Sequence, residues 1–243
     1  MREIRTKHKW RRLAVVTLLV GCGVSVCVSE AAEQSAPAQV PASQPLVARP
    51  PAHSPVPPRI AQVAELGENL YDALKAADWP KATARFRSMR QATNSLVAEL
   101  GIGRPELPRL RSAMASLKEA IPSRNRPVAL QEANEITLIA ANLSAAYNPT
   151  VPADVARLDY YGRALEIWSG VGDTKKLAEI AQEIRRTWDS LRPSLAARGG
   201  SSEIAPFNGL VARLEAANSP SMYAEIAGLL LDAVDGIEKV FSR

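Results

Sequence analysis

Histidine and cysteine are almost missing from this chain of 243 residues. The two histidines are His8 and His53, the two cysteines Cys22 and Cys27, and nothing beyond position 53 carries either type. That absence excludes ordinary zinc sites, His-ligated copper and haem attachment through Cys-x-x-Cys-His. It also excludes Ser-His-Asp and Cys-His nucleophilic groups and the Glu-x-x-His pairs of di-iron bundles. Runs with period-two alternation are missing and Val/Ile/Thr-rich stretches are short, so no strand is predicted. With no strand there is no Gly-rich phosphate loop of the strand-to-helix kind. Neither a metal nor a cofactor is implied.

An excess of acid is missing too, and the formal net charge is +5. Its location decides what it means. Residues 1–21 hold six basic side chains (Arg2, Arg5, Lys7, Lys9, Arg11, Arg12) and one acid, Glu3. Removing them from the 30 basic and 25 acidic residues leaves 24 of each. A neutral remainder with interspersed signs has no phosphate-binding footprint, so nucleic acid is not an expected partner.

The N-terminus is laid out as an export signal: a basic segment, an apolar run over residues 13–20, then small residues. Leu19-Val20-Gly21-Cys22 resembles the lipobox of bacterial lipoproteins, and the resemblance covers only the first 22 residues. It implies a signal peptide over 1–21 and a mature chain that begins at a lipid-bearing Cys22, facing the periplasm. The alternative is ordinary cleavage near Ala31 or Ala32, which would release a soluble periplasmic protein without either cysteine. Residues 22–58 form a Pro/Ala-rich tether, with prolines at 37, 41, 45, 50, 51, 55, 57 and 58. Proline removes backbone donors and favours extended geometry, so no packed fold is expected there. At ~3.1 Å per residue, residues 33–58 would span on the order of 80 Å.

The clearest periodicity lies in residues 157–195. Leu177, Ile180, Ala181, Ile184, Trp188, Leu191 and Leu195 fall on one helical face, and Lys175, Glu179, Glu183, Arg186 and Arg192 on the other. A preceding helix carries Val155, Leu158, Gly162, Leu165 and Trp168 at helical spacing. Between the two, Gly170-Val171-Gly172-Asp173 supplies a left-handed exit and a cap. The pair reads as an αα-hairpin. Shifted back by 95 positions it partly recurs, with Gly67 on Gly162, Leu70 on Leu165, Asp78 on Asp173, Arg90 on Arg185 and Leu96 on Leu191. Beyond it, residues 110–121 resemble 207–218 and residues 130–147 resemble 224–241. This pattern predicts a duplication.

Eight helices are predicted, at 59–77, 80–100, 105–121, 127–147, 152–171, 174–198, 202–217 and 220–241. Pro80, Pro127, Pro152 and Pro220 mark starts, Ser219 a cap, and Gly101, Gly103, Gly199 and Gly200 ends. The expected fold is all-α, an up-and-down antiparallel helical bundle made of two duplicated four-helix units, 59–148 and 149–243. Met89, Met114 and Met222 read as core.

Catalysis by carboxylates alone is the one enzymatic option left. Glu135 and Glu183 point away from the apolar stripes, so a solvated face is the expected reading and no enzyme is predicted. Asp159 lies near the buried edge of its helix and needs a partner, either an interhelical arginine or a ligand. Tyr160, Tyr161, Trp168 and Trp188 form an aromatic set on the hairpin that serves as core or as an interface. The sequence thus reads as a non-catalytic cell-envelope lipoprotein. Its helical bundle binds or scaffolds another envelope protein and reaches the membrane through its N-terminal lipid. A sensor that encloses a small molecule near Trp168 and Trp188 is the alternative.

Overall fold

The computed structural model describes residues 55–101 and 103–243. The signal segment, Cys22 and all but the last few residues of the tether lie outside that range. Eight helices follow one another: α1 (Pro58–Lys75), α2 (Trp79–Leu100), α3 (Glu106–Ala120), α4 (Arg126–Ala145), α5 (Ala153–Val171), α6 (Thr174–Ala197), α7 (Ser201–Ala216) and α8 (Pro220–Phe241). No strand occurs among the described residues, and the fold is all-α. No helix among them is long and apolar enough to cross a membrane.

Local chemistry sets the boundaries. Gly172 ends α5 in the left-handed region at φ 82°, and Asp173 caps α6 by accepting the Lys176 N–H at 3.0 Å. The same device stands 95 residues earlier, where Asp78 accepts the Lys81 N–H at 3.0 Å. There the left-handed residue is Ala77, at φ 56°. Asn125 and Ser219 cap α4 and α8 with their side chains, each just ahead of a proline in the first turn.

Both halves are assembled alike. In the first, α1 packs on α2 and α4, and α3 on α4; in the second, α5 packs on α6 and α8, and α7 on α8. Each half closes over its own apolar core. Leu70, Leu74, Met89, Leu110 and Ile136 belong to one, and Leu165, Ile184, Trp188, Phe207 and Leu230 to the other. The α4–α5 contact joins them, with Ile167 packed into the first core and Trp168 against both.

Gly67 and Gly162, 95 positions apart, stand where α1 meets α4 and where α5 meets α8. A methyl group at Gly67 would lie 3.0 Å from Thr137 Cγ2 and 3.5 Å from Ile136 Cγ2. One at Gly162 would lie 2.6 Å from Leu231 Cδ2 and 3.0 Å from Leu230 Cδ2. Leu230 and Leu231 are the counterparts of Ile136 and Thr137 under the correspondence of α8 with α4. Helix one thus meets helix four at the same point in both halves. The methionines do not all share the core: Met89 is fully buried, whereas Met222 is 37% exposed on the first turn of α8.

A candidate interaction groove along the fifth helix

Helix α5 touches α4, α6 and α8, so three of its sides are occupied. Along the strip between α4 and α6 stand Tyr160, Ala164 and Trp168, at successive steps of four. The small Ala164 between two large rings leaves a depression. Two adjoining clefts, of about 360 and 260 Å³, share Tyr160, Ala164, Trp168 and Lys176 as lining and form one open groove. The first extends over Arg109 of α3 and Gln131, Asn134 and Glu135 of α4. The second runs over Tyr161, Glu179, Glu183 and Arg186.

The tyrosines meet edge to face, with ring centroids 5.1 Å apart and an interplanar angle of 65°. Burial, reinforced by the nearby Glu135 charge, pushes the Tyr160 phenol up to about 12. Burial raises Tyr161 as well. Both hydroxyls are therefore neutral donors at physiological pH. The rim is largely self-neutralised: Arg109 pairs with Glu135, Lys176 with Glu179 at 3.2 Å, and Arg186 with Glu183 at 3.1 Å. Burial raises Glu132 on the same wall.

Asn134 holds the groove's back wall together. It is 1% exposed, and its Nδ2 donates to the Tyr160 carbonyl at 2.9 Å, which ties α4 to α5. Its signal in the sequence is an asparagine inside the apolar run of α4, which leaves the helical periodicity unchanged.

The remaining predicted residues lie elsewhere. Trp188 is fully buried; it stacks on Phe207 with centroids 4.3 Å apart and donates its indole N–H to Asn208 at 2.8 Å. It is core of the second half. Asp159 faces away from the groove, toward α1. Its partner is Arg163 on its own helix, at 2.8 Å, and Arg163 in turn approaches Glu68 of α1 at 4.0 Å and lies 5.5 Å from the Tyr71 ring. The expected interhelical arginine is thus replaced by one on the same helix, and Arg90 and Arg185 take no part. Below this cluster Tyr71 donates to Glu166 at 3.0 Å, and Lys75 bonds both Glu166 oxygens at 2.8 Å.

This seam makes α1 and α5 neighbours in register, because Glu68/Arg163 and Tyr71/Glu166 are each 95 positions apart. Burial, helped by the charges of Asp235, Glu238 and Asp72, lifts the Asp159 carboxyl to about 6 against the pull of Arg163. Glu68 rises to about 6 for the same leading reason. No group of three or more His, Cys, Asp or Glu among the described residues is placed to hold a metal ion.

No family model, curated protein or solved structure matches the chain. The groove's chemistry must therefore be read from its own residues. Its floor offers aromatic faces and two hydroxyl donors. Its walls offer carboxylates and cations, most of them already in pairs. Such a surface can bind a partner through its aromatic faces and its polar rim.

Proposed function

We propose that this protein is a non-catalytic envelope lipoprotein, anchored through Cys22, that captures a segment of another envelope protein in the α5 groove. The observation that carries this reading is the shape and lining of the groove. It is open and long, aromatic on its floor and polar at its rim. That is the pattern of protein recognition sites, in which aromatic anchors sit inside a polar surround. The matching segment presents one or two apolar side chains to Tyr160 and Trp168. Around them it carries charges of both signs that exchange with the rim pairs. A closed cavity between Trp168 and Trp188 would have favoured a small-molecule sensor; Trp188 is instead enclosed by Phe207 and Asn208.

The test begins with a photo-crosslinking amino acid at Tyr160 in the native host, with a second at the exposed Gln91 of α2 as control. A partner crosslinked from position 160 alone is then purified and titrated against the full chain. Tyr160→Ala and Trp168→Ala should each weaken that binding by roughly tenfold or more, with the fold intact by circular dichroism. A partner that crosslinks equally from both positions, or that ignores both substitutions, refutes the groove. The anchor is checked separately by the mass of the mature protein: a start at Cys22 plus acyl chains is expected, and cleavage near Ala31 refutes it.

A further inference from the structure

The two halves differ most at one place, the contact between their second and third helices. Helices α6 and α7 pack closely, whereas α2 and α3 barely touch and leave an open cleft of about 440 Å³. The cause is legible residue by residue. In the second half the gap is filled by Trp188 stacked on Phe207. Their counterparts in the first half are Thr93 and Leu110, so two rings are replaced by a hydroxyl-bearing side chain and an aliphatic one. Thr93 lines the cleft, is only 5% exposed, and its hydroxyl has no hydrogen-bond partner. A buried polar atom left without a partner is costly, and such an atom calls for an explanation.

Charge diverges at the same spot. In the second half Arg185 is neutralised by a two-pronged contact with Glu215, at 2.8 and 2.7 Å, and by Asp189 at 3.8 Å. In the first half the corresponding arginine is Arg90, Asp189 becomes Asn94, and Glu215 becomes Lys118. The position of Asn208, which holds the Trp188 indole, is taken by Arg111. Arg90 and Arg111 both line the cleft, and no acid does. Neither arginine forms an ion pair among the described residues. Val97, Ala98 and Met114 supply an apolar wall.

We propose that the α2–α3 cleft is a binding site for a small organic carboxylate with a ring-sized apolar body. The ring would occupy the space that Trp188 fills in the second half, against Val97, Ala98 and Met114. The carboxylate would accept from the Arg90 and Arg111 guanidiniums, whose fork geometry suits it. The volume lies within the usual range for small-ligand sites. This site is separate from the α5 groove and does not depend on what binds there.

Isothermal titration of the full chain with naphthalene carboxylate provides the test, with neutral naphthylmethanol and inorganic phosphate as comparison probes. The carboxylate should bind at least roughly tenfold more tightly than either, and Arg90→Gln or Arg111→Gln should weaken it by a similar factor. Thr93→Trp should abolish binding by refilling the cleft. The proposal is overturned if the carboxylate does not bind, if naphthylmethanol or phosphate binds as well, or if binding survives the arginine substitutions. Binding seen only to phosphatidylcholine vesicles doped with phosphatidylglycerol, and lost with those arginines, also overturns it and assigns the cleft to a lipid headgroup.

Discussion

Replacing Gly162 by alanine should destabilise the protein even though alanine is the better helix former. In a helix interior the exchange by itself gains about 0.5–1 kcal/mol. At this position the new methyl would lie 2.6 Å from Leu231 Cδ2, 2.9 Å from its Cγ and 3.0 Å from Leu230 Cδ2. The Cγ is a branch point, so turning the tip of Leu231 does not clear it, and Leu230 is fully buried. Overpacking of this kind costs about 1–3 kcal/mol, which against that gain leaves a net loss of up to about 2.5 kcal/mol. At Gly67 the only tight contact is Thr137 Cγ2 at 3.0 Å, with its other neighbours at 3.5 Å. There the two effects nearly cancel, within about 0.5 kcal/mol. Gly209 and Gly228 have nothing within 4 Å, so alanine should stabilise at both by about 0.5–1 kcal/mol.

Thermal melts followed by circular dichroism measure all four, with about 2–4 °C expected per kcal/mol for a domain of this size. The order should be Gly209→Ala and Gly228→Ala above wild type, Gly67→Ala close to it, and Gly162→Ala below. Adding Leu231→Ala should turn Gly162→Ala from destabilising to neutral or better, a coupling that a double-mutant cycle reads directly. A Gly162→Ala melt above wild type would refute the claim that α5 and α8 approach through the missing side chain.

Trp188→Ala should cost about 3–5 kcal/mol in urea unfolding as a large core truncation, while Trp188→Phe, which keeps the stack on Phe207 and loses the bond to Asn208, should cost far less. Ala77→Gly should raise the melting temperature by relieving the left-handed φ of 56°, a gain of about 1 kcal/mol; a drop would mean the turn tolerates alanine without strain. The Asp159 carboxyl, held at about 6 by burial, gives a pH dependence of definite sign. Between about pH 4 and 6 the folded protein binds this proton more tightly than the unfolded chain, so stability rises as pH falls through that window and is lowest above it. The difference between wild type and Asp159→Asn, from urea titrations at several pH values, should reach about 2–3 kcal/mol across the window, and parallel profiles would contradict it. Asn134→Ala should cost about 1–2 kcal/mol and loosen α4 from α5, visible as faster hydrogen exchange around Tyr160.

Helix identity was legible because it depends on local spacing. The seven residues assigned to one face of α6, Leu177 through Leu195, are the buried residues of that helix. The Gly172–Asp173 turn and its Asp78 counterpart could be read from the chemistry of capping alone. What each face packs against was not legible. Helix α5 is the plainest case: three neighbours occupy it, so its pattern has no single polar side, and residues facing α4, α6 and α8 look alike in sequence. Asp159 and Tyr160 are adjacent in the chain yet serve different faces. Arg163 partners Asp159 from one turn away, and an i,i+4 pair has the same spacing whether it lies buried or exposed. The cleft between α2 and α3 was hidden in the same way, since a threonine in place of a tryptophan leaves helical periodicity untouched.

That burial of α5 on three sides also bears on what occupancy of the groove would do. Its walls come from both halves: Arg109 and Glu135 from the first, Lys176, Glu179 and Arg186 from the second. The α4–α5 contact that joins the halves runs beneath it, tied by the Asn134 bond to the Tyr160 carbonyl. A segment lying across Tyr160 and Trp168 would therefore contact both halves at once and bind best when they are held in this arrangement. By linkage, ligand at a hundredfold excess over its dissociation constant adds about 2.7 kcal/mol to whatever process separates them. Groove binding should accordingly slow exchange of the amides at the α4–α5 contact more than those of α2 or α7. Protection confined to the residues the segment touches would mean that the halves are already locked and that the groove transmits nothing.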